Sequence, residues 1–106
     1  MDIQIKRGLL DIAVLASIKN ADSYGYQIIK DIKPYVEISE STLYPILRRL
    51  EAAEMLTIRT AEHNGRLRKY YRITARGLRR IGEFREEWNE ILLIYQFITK
   101  GDRQGE

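Results

Sequence analysis

Ser39-Glu40-Ser41-Thr42-Leu43-Tyr44-Pro45-Ile46-Leu47-Arg48-Arg49-Leu50-Glu51 is followed, after twelve intervening residues, by Asn64-Gly65-Arg66-Leu67-Arg68-Lys69-Tyr70-Tyr71-Arg72-Ile73-Thr74. The first run has the 3.6-residue period of an amphipathic helix capped by Ser39 or Ser41 and ending near Glu54. The second is one arm of a hairpin whose Asn-Gly pair supports a tight turn. Its partner strand is Met55 to Thr60, in which Leu56 and Ile58 alternate with Thr57 and Arg59. In the second strand, Leu67, Tyr71 and Ile73 are expected to face inward. A short polar-faced helix joined to a basic two-stranded ribbon predicts a winged helix-turn-helix.

The flanking segments complete that layout. Ile5 to Lys19 reads as a helix with apolar residues on nearly every side, which predicts burial on more than one face and a partner chain against Leu10 and Val14. Asn20 to Ser23 supplies a turn and N-caps for a second helix, Tyr24 to about Lys33, stopped by Pro34. Gly25 is expected to admit another backbone. Thr74 caps a long last helix reaching about Thr99, and Lys100 to Glu106 reads as a frayed tail. The fold class is mainly α with a β-hairpin (α+β). Residues 1–74 form the winged unit and 75–106 the C-terminal helix and tail, as one continuous structure.

Composition narrows the chemistry. A chain of 106 residues supports one domain, and its 44% hydrophobic content argues against disorder. The formal net charge is only +3, yet seven Arg or Lys and no Asp or Glu lie between Arg66 and Arg80. A local field of one sign attracts polyanions. With no cysteine and a single histidine, His63, neither a thiol nucleophile nor a zinc site is expected, and no cofactor is predicted. No enzyme-like nucleophile, metal cluster or carboxylate pair stands out. The absence of a signal peptide and of a membrane-length apolar run predicts a cytoplasmic protein without a membrane partner.

On the capped helix, Leu43, Ile46, Leu47 and Leu50 fall on one side and Ser41, Tyr44, Pro45, Arg48 and Ala52 on the other, flanked by Thr42 and Arg49. Arg48 is the candidate for a base edge, because its guanidinium can bond guanine O6 and N7 together. Ser41, Thr42 and Tyr44 suit phosphates near the helix N-terminus. In the hairpin, Arg68, Tyr70 and Arg72 are assigned to the outer face, with Arg66 and Lys69 near the tip. Such interleaved cations and phenols suit backbone contact, and Arg66 suits a narrow minor groove.

The last helix carries Ile81, Phe84, Trp88, Ile91, Tyr95 and Ile98 at alternating spacings of three and four, a heptad seam. It predicts a homodimer whose two reading helices, about 34–36 Å apart, meet successive major grooves of a palindromic double-stranded DNA site. Trp88 sits mid-seam beside carboxylates, where either plain packing or the stacking of a small planar aromatic ligand fits.

Tyr24-Gly25-Tyr26, Ser41 to Glu51 and Arg68-Lys69-Tyr70-Tyr71-Arg72-Ile73-Thr74 together resemble the PadR family of bacterial transcriptional regulators, from Gly8 to about Ile98. The short length and single C-terminal helix are similar to its compact multidrug-sensing members. The resemblance implies a homodimeric repressor with the last helix exchanged across the dimer. It also implies DNA contact by Tyr24, Ser41, Thr42, Tyr44, Pro45, Arg48, Arg66, Arg68, Lys69 and Tyr70. It further implies a dimer interface with Phe84, Trp88, Ile91, Tyr95 and Ile98, and a ligand stacked on Trp88. Two other readings stay open: a protein-interaction module using the apolar last helix, and an RNA-binding winged helix.

Overall fold

The computed structural model describes residues 1–102. Four helices and one hairpin follow in the order α1 (Ile3–Ser17), α2 (Gly25–Ile32), α3 (Glu40–Ala52), β1 (Leu56–His63), β2 (Arg66–Ile73) and α4 (Ala75–Thr99). The expected winged helix-turn-helix with an extra helix at each end is the observed fold. Of the expected C-terminal tail, residues 103–106 lie outside the described region.

Helix α1 begins earlier than its apolar pattern suggests. The Asp2 carboxylate accepts from the Gln4 and Ile5 amides at 2.8 and 3.3 Å, which satisfies donors that the first turn cannot pair internally. Its expected partner chain is not what buries it. Helices α2, α3 and α4 of the same chain pack around α1. Val14 is fully buried and Leu10 is 7% exposed within the single chain. Their assignment to a dimer interface is therefore corrected: both side chains belong to the chain's own core. The core continues through Leu15, Ile18, Ile28, Leu43, Leu47 and Leu56.

The segment before α2 also departs from expectation. Neither Asp22 nor Ser23 caps α2; Tyr24 holds the cap position, with no side-chain bond to the helix amides. Ser23 instead exchanges both backbone hydrogen bonds with Tyr71, at 3.2 and 2.8 Å, as a one-residue third strand beside β2. This stitch fastens the hairpin to the head of α2.

The hairpin is longer than its sequence pattern predicted. Pairing runs in register from Leu56↔Ile73 to His63↔Arg66, so only Asn64 and Gly65 form the turn. Both have positive φ, 51° and 78°, the conformation of a type I′ connection. The core-facing side of β2 is buried at Tyr71, but Leu67 is 79% exposed, against the expectation that it faces inward. The physical reason is reach: the strand carries its alternation past the body of the domain, where no core remains to receive the side chain.

One atom joins the end of α3 to the start of α4. The Thr74 hydroxyl donates to the Glu54 carbonyl at 2.8 Å and accepts from the Gly77 amide at 3.1 Å. Glu54 itself takes φ 61°, the left-handed conformation that ends a helix. Beyond Phe84 the side chains of α4 up to Ile98 are exposed, and this projecting rod stretches the molecule to 61 × 27 × 22 Å. Its radius of gyration is 16.9 Å, whereas a compact chain of this length would have about 13 Å.

Candidate nucleic-acid interface

The two faces of α3 fall as the helical period dictates. Leu43, Ile46, Leu47 and Leu50 are buried, whereas Ser41, Thr42, Tyr44, Pro45, Arg48 and Ala52 are all exposed. Arg49, on the flank, is tied to Asp11 of α1 and so is removed from the free cations of this face. Ser39 occupies the cap position. Its hydroxyl lies 2.9 Å from the Ser41 hydroxyl and 3.2 Å from that of Thr42, and it makes no bond to the helix amides. Pro45 lies inside the helix and has no N–H, so the Ser41 carbonyl loses its usual helical donor on the exposed face.

Between α3 and the hairpin lies an open groove of about 660 Å³. Tyr44 lines it from the helix, Arg66, Leu67 and Lys69 from the hairpin, and Tyr26 from the head of α2. The Tyr44 phenol reaches this position because residue 25 is glycine. A Cβ at Gly25 would lie 2.6 Å from the Tyr44 hydroxyl oxygen and 3.2 Å from Cζ. The close approach expected at Gly25 is real, but the neighbour is a side chain rather than another backbone. Thr42 and Pro45 face the other flank, where they line a shallow groove with Ile3 and Lys6 of α1.

The far face of the hairpin is organised differently from a row of free cations. The Asp22 carboxylate accepts from Arg72 Nε at 3.1 Å and Arg59 Nε at 3.2 Å. These two bonds hold its pKa below the usual carboxylate value, with Arg72 the larger influence; partial desolvation opposes them. Arg59 also lies over the Tyr70 ring, 4.5 Å from its centroid. Tyr70 meets Tyr24 edge to face at 5.8 Å, and Arg68 lies 3.9 Å over the centroid of Tyr24. Burial pushes the Tyr71 hydroxyl pKa up on the opposite side of the strand.

The sequence-derived candidates thus divide into two groups. Tyr24, Tyr44, Arg66, Arg68 and Lys69 line one groove, and Ser41 and Arg48 lie on the exposed face of α3. Tyr24 and Arg68 also belong, with Tyr70, to a ladder that borders this groove. Asp22 and Arg59 belong to that ladder, and sequence reasoning missed both. The alternation of β1 put Arg59 on the outer side; only the Arg59↔Tyr70 register and the Ser23 bridge reveal what it meets.

Farther along, Ile81 and Phe84 are partly buried, and Ile81 packs against the core. Trp88 and Ile91 are each 50% exposed, Tyr95 59% and Ile98 67%. Leu93, Ile94 and Phe97 are exposed beside them. This is an apolar surface that its own chain leaves uncovered. Among the described residues, no helix is long and apolar enough to cross a membrane.

Comparison with known proteins places these features in a family. Residues 14–83 match the model of the transcriptional regulator PadR-like family. A solved protein from Streptococcus mutans is 39% identical, with 94% of each chain covered and a TM-score of 0.78. A PadR family transcriptional regulator from Eggerthella lenta is 30% identical over 94% of this chain and 89% of its own, with a TM-score of 0.82. Bacillus subtilis PadR, solved in complex with operator DNA, shares the fold at 23% identity and a TM-score of 0.67, over 72% of this chain and 46% of its own.

Proposed function

The chain belongs to the PadR-like family of transcriptional regulators, and from that premise we propose that it is a cytoplasmic, homodimeric repressor that binds a palindromic operator. The observation that carries the DNA reading is the pairing of two surfaces across one groove. Tyr44 of α3, with Ser41 and Arg48 exposed on the same helix face, stands across the groove from the cations Arg66 and Lys69 of the hairpin. A helix of this width fits the major groove, where Arg48 addresses base edges, while the hairpin neutralises adjacent phosphates. The complex of Bacillus subtilis PadR with operator DNA supports the same use of the shared fold.

The uncovered apolar side of α4 supports the dimer. Trp88, Ile91, Tyr95 and Ile98 would bury against a second copy, and that burial is favourable at about 25 cal/mol per Å² of apolar area. Residues 1–74 then contact DNA and residues 75–106 assemble the pair. A small planar aromatic ligand stacked on the half-exposed Trp88 at the dimer centre would alter the separation of the reading helices and release the operator.

Selection of duplexes from a random library by the whole protein tests the reading. Enrichment of a palindrome whose half-sites lie about one helical turn apart is the expected result. Failure to enrich any duplex, or preference for structured RNA, would overturn it. Light scattering should give twice the 12.5 kDa of one chain. A monomer would remove the dimer from the proposal.

A further inference from the structure

The ladder through Tyr70 and Tyr24, which reaches the groove at Tyr24 and Arg68, ends differently at its two ends. At one end, Arg59 and Arg72 direct their Nε donors into the Asp22 carboxylate. At the other, Arg68 Cζ lies over the Tyr24 ring, 3.9 Å from its centroid, and Arg68 makes no side-chain hydrogen bond or ion pair among the described residues. Stacking occupies the flat face of a guanidinium and leaves its in-plane N–H donors free. The ring thereby restricts a long side chain while sparing the donors that bind oxyanions in pairs. Tyr24 is itself fixed, since Ser23 is hydrogen-bonded to Tyr71 through both backbone groups and Tyr70 abuts the Tyr24 ring.

We propose that Arg68 is a phosphate clamp prepared by Tyr24, and that Tyr24 is a positioning residue with no contact of its own to the nucleic acid. The inference rests on the DNA-binding reading above and refines it by giving two residues of the wing unequal tasks. Arg68 holds a backbone phosphate through paired N–H donors. Tyr24 limits the freedom that Arg68 loses on binding, and Asp22 anchors the other end of the ladder so that the platform keeps its angle to the groove.

Salt dependence separates these tasks, because its slope counts phosphates neutralised whereas preorganisation changes affinity alone. The experiment measures fluorescence anisotropy of a labelled duplex of arbitrary sequence across a salt series, using the full-length protein. Arg68→Ala should shallow the logarithmic slope by about one. Tyr24→Leu should weaken binding about two- to five-fold at every salt concentration, the range expected for a cation–π contact at an exposed site, with the slope retained. Tyr24→Phe keeps the ring and should restore the wild-type affinity. Arg68→Lys should keep the slope and lose affinity, because an ammonium cannot form the paired contact. Equal far-ultraviolet spectra and melting temperatures establish that each variant is folded, and Arg68→Lys retains charge and bulk if Tyr24→Leu is not.

An unchanged slope in Arg68→Ala, or unchanged affinity in Tyr24→Leu, overturns the clamp. An affinity loss in folded Tyr24→Phe equal to that of Tyr24→Leu would make Tyr24 a contact through its hydroxyl rather than a platform, and so overturn its assigned role. Absence of any duplex binding by the wild-type protein is a different outcome: it removes the DNA reading on which the clamp rests.

Discussion

The Tyr44 hydroxyl and Gly25 interlock: a Cβ at residue 25 would lie 2.6 Å from the phenol oxygen, closer than such atoms approach in real structures. The glycine at the head of one helix thus sets the position of an exposed side chain on the next. Gly25→Ala, at the first residue of α2, gains less than the ~0.5–1 kcal/mol of a helix interior, and its Cβ must push aside the end of the exposed Tyr44 side chain. The expected net is modest destabilisation with displacement of Tyr44. In a Tyr44→Phe background the clashing oxygen is gone and the 3.2 Å approach to Cζ remains, so Gly25→Ala should cost distinctly less than in wild type. Urea unfolding of the four proteins of that cycle measures the coupling; simple additivity would disprove the interlock.

Gly77 leaves less latitude. A Cβ there would meet the Met55 carbonyl oxygen at 2.3 Å and Ile73 Cγ1 at 2.7 Å. The first of these is backbone and cannot rotate away. Gly77→Ala should therefore cost about 2 kcal/mol or more, towards the upper part of the range for overpacking. Chemical denaturation checks this, and a stability equal to wild type would mean that α4 can dock farther out.

Asp22 gives stability a specific acid dependence. Its folded pKa lies below the ordinary value of 3.8 because Arg72 and Arg59 donate to the carboxylate. Such a group contributes fully above its unfolded pKa, and the contribution fades as pH falls through the lower, folded value. Asp22→Asn should accordingly be less stable than wild type near neutral pH, with the gap closing as the solution is acidified below about pH 4. A gap that stays constant through the acid range would show that the ion pairs contribute nothing.

Arg48→Ala should lower operator affinity by about 1–3 kcal/mol and relax the preference at one base pair. Lys69→Ala should weaken binding evenly on all sequences and shallow the salt slope by about one. Competition assays against selected and random duplexes separate the two patterns, and an Arg48 variant that still discriminates fully is not a base reader.

Ile91→Glu places a charge on the uncovered side of α4, where Ile91 is half exposed and outside the chain's own core. Light scattering should shift from dimer to monomer while the thermal transition of the domain persists. Persistence of the wild-type mass would exclude this face from assembly.

Features fixed by neighbours in sequence were the most legible. The Asn64-Gly65 turn and the Thr74 cap each follow from a few consecutive residues, and both stand where the residue types put them. The faces of α3 followed from period alone. Errors arose where a local pattern was asked about distant matter. Alternation put Leu67 on the inward side but could not say that the domain ends before it. The all-round apolar character of α1 required several neighbours, and they came from the same chain. Asp22 and Ser23 have the chemistry of helix caps, yet Arg59, Arg72 and Tyr71 claimed them from across the fold. The ladder through Tyr24, Tyr70 and Arg68 was hidden because it joins elements whose register appears only on folding.

The single hydroxyl of Thr74, shared between the Glu54 carbonyl and the Gly77 amide, makes a fulcrum. Helix α4 is a lever of 25 residues, roughly 37 Å long at 1.5 Å per residue, so a tilt of about 5° at its base carries its tip through roughly 3 Å. In a dimer joined along the outer half of α4, the gearing would run the other way. In the proposed dimer, small adjustments of packing around Trp88 would become small rotations of each α3, and the angle at one threonine would set the spacing of the two helices proposed to read DNA.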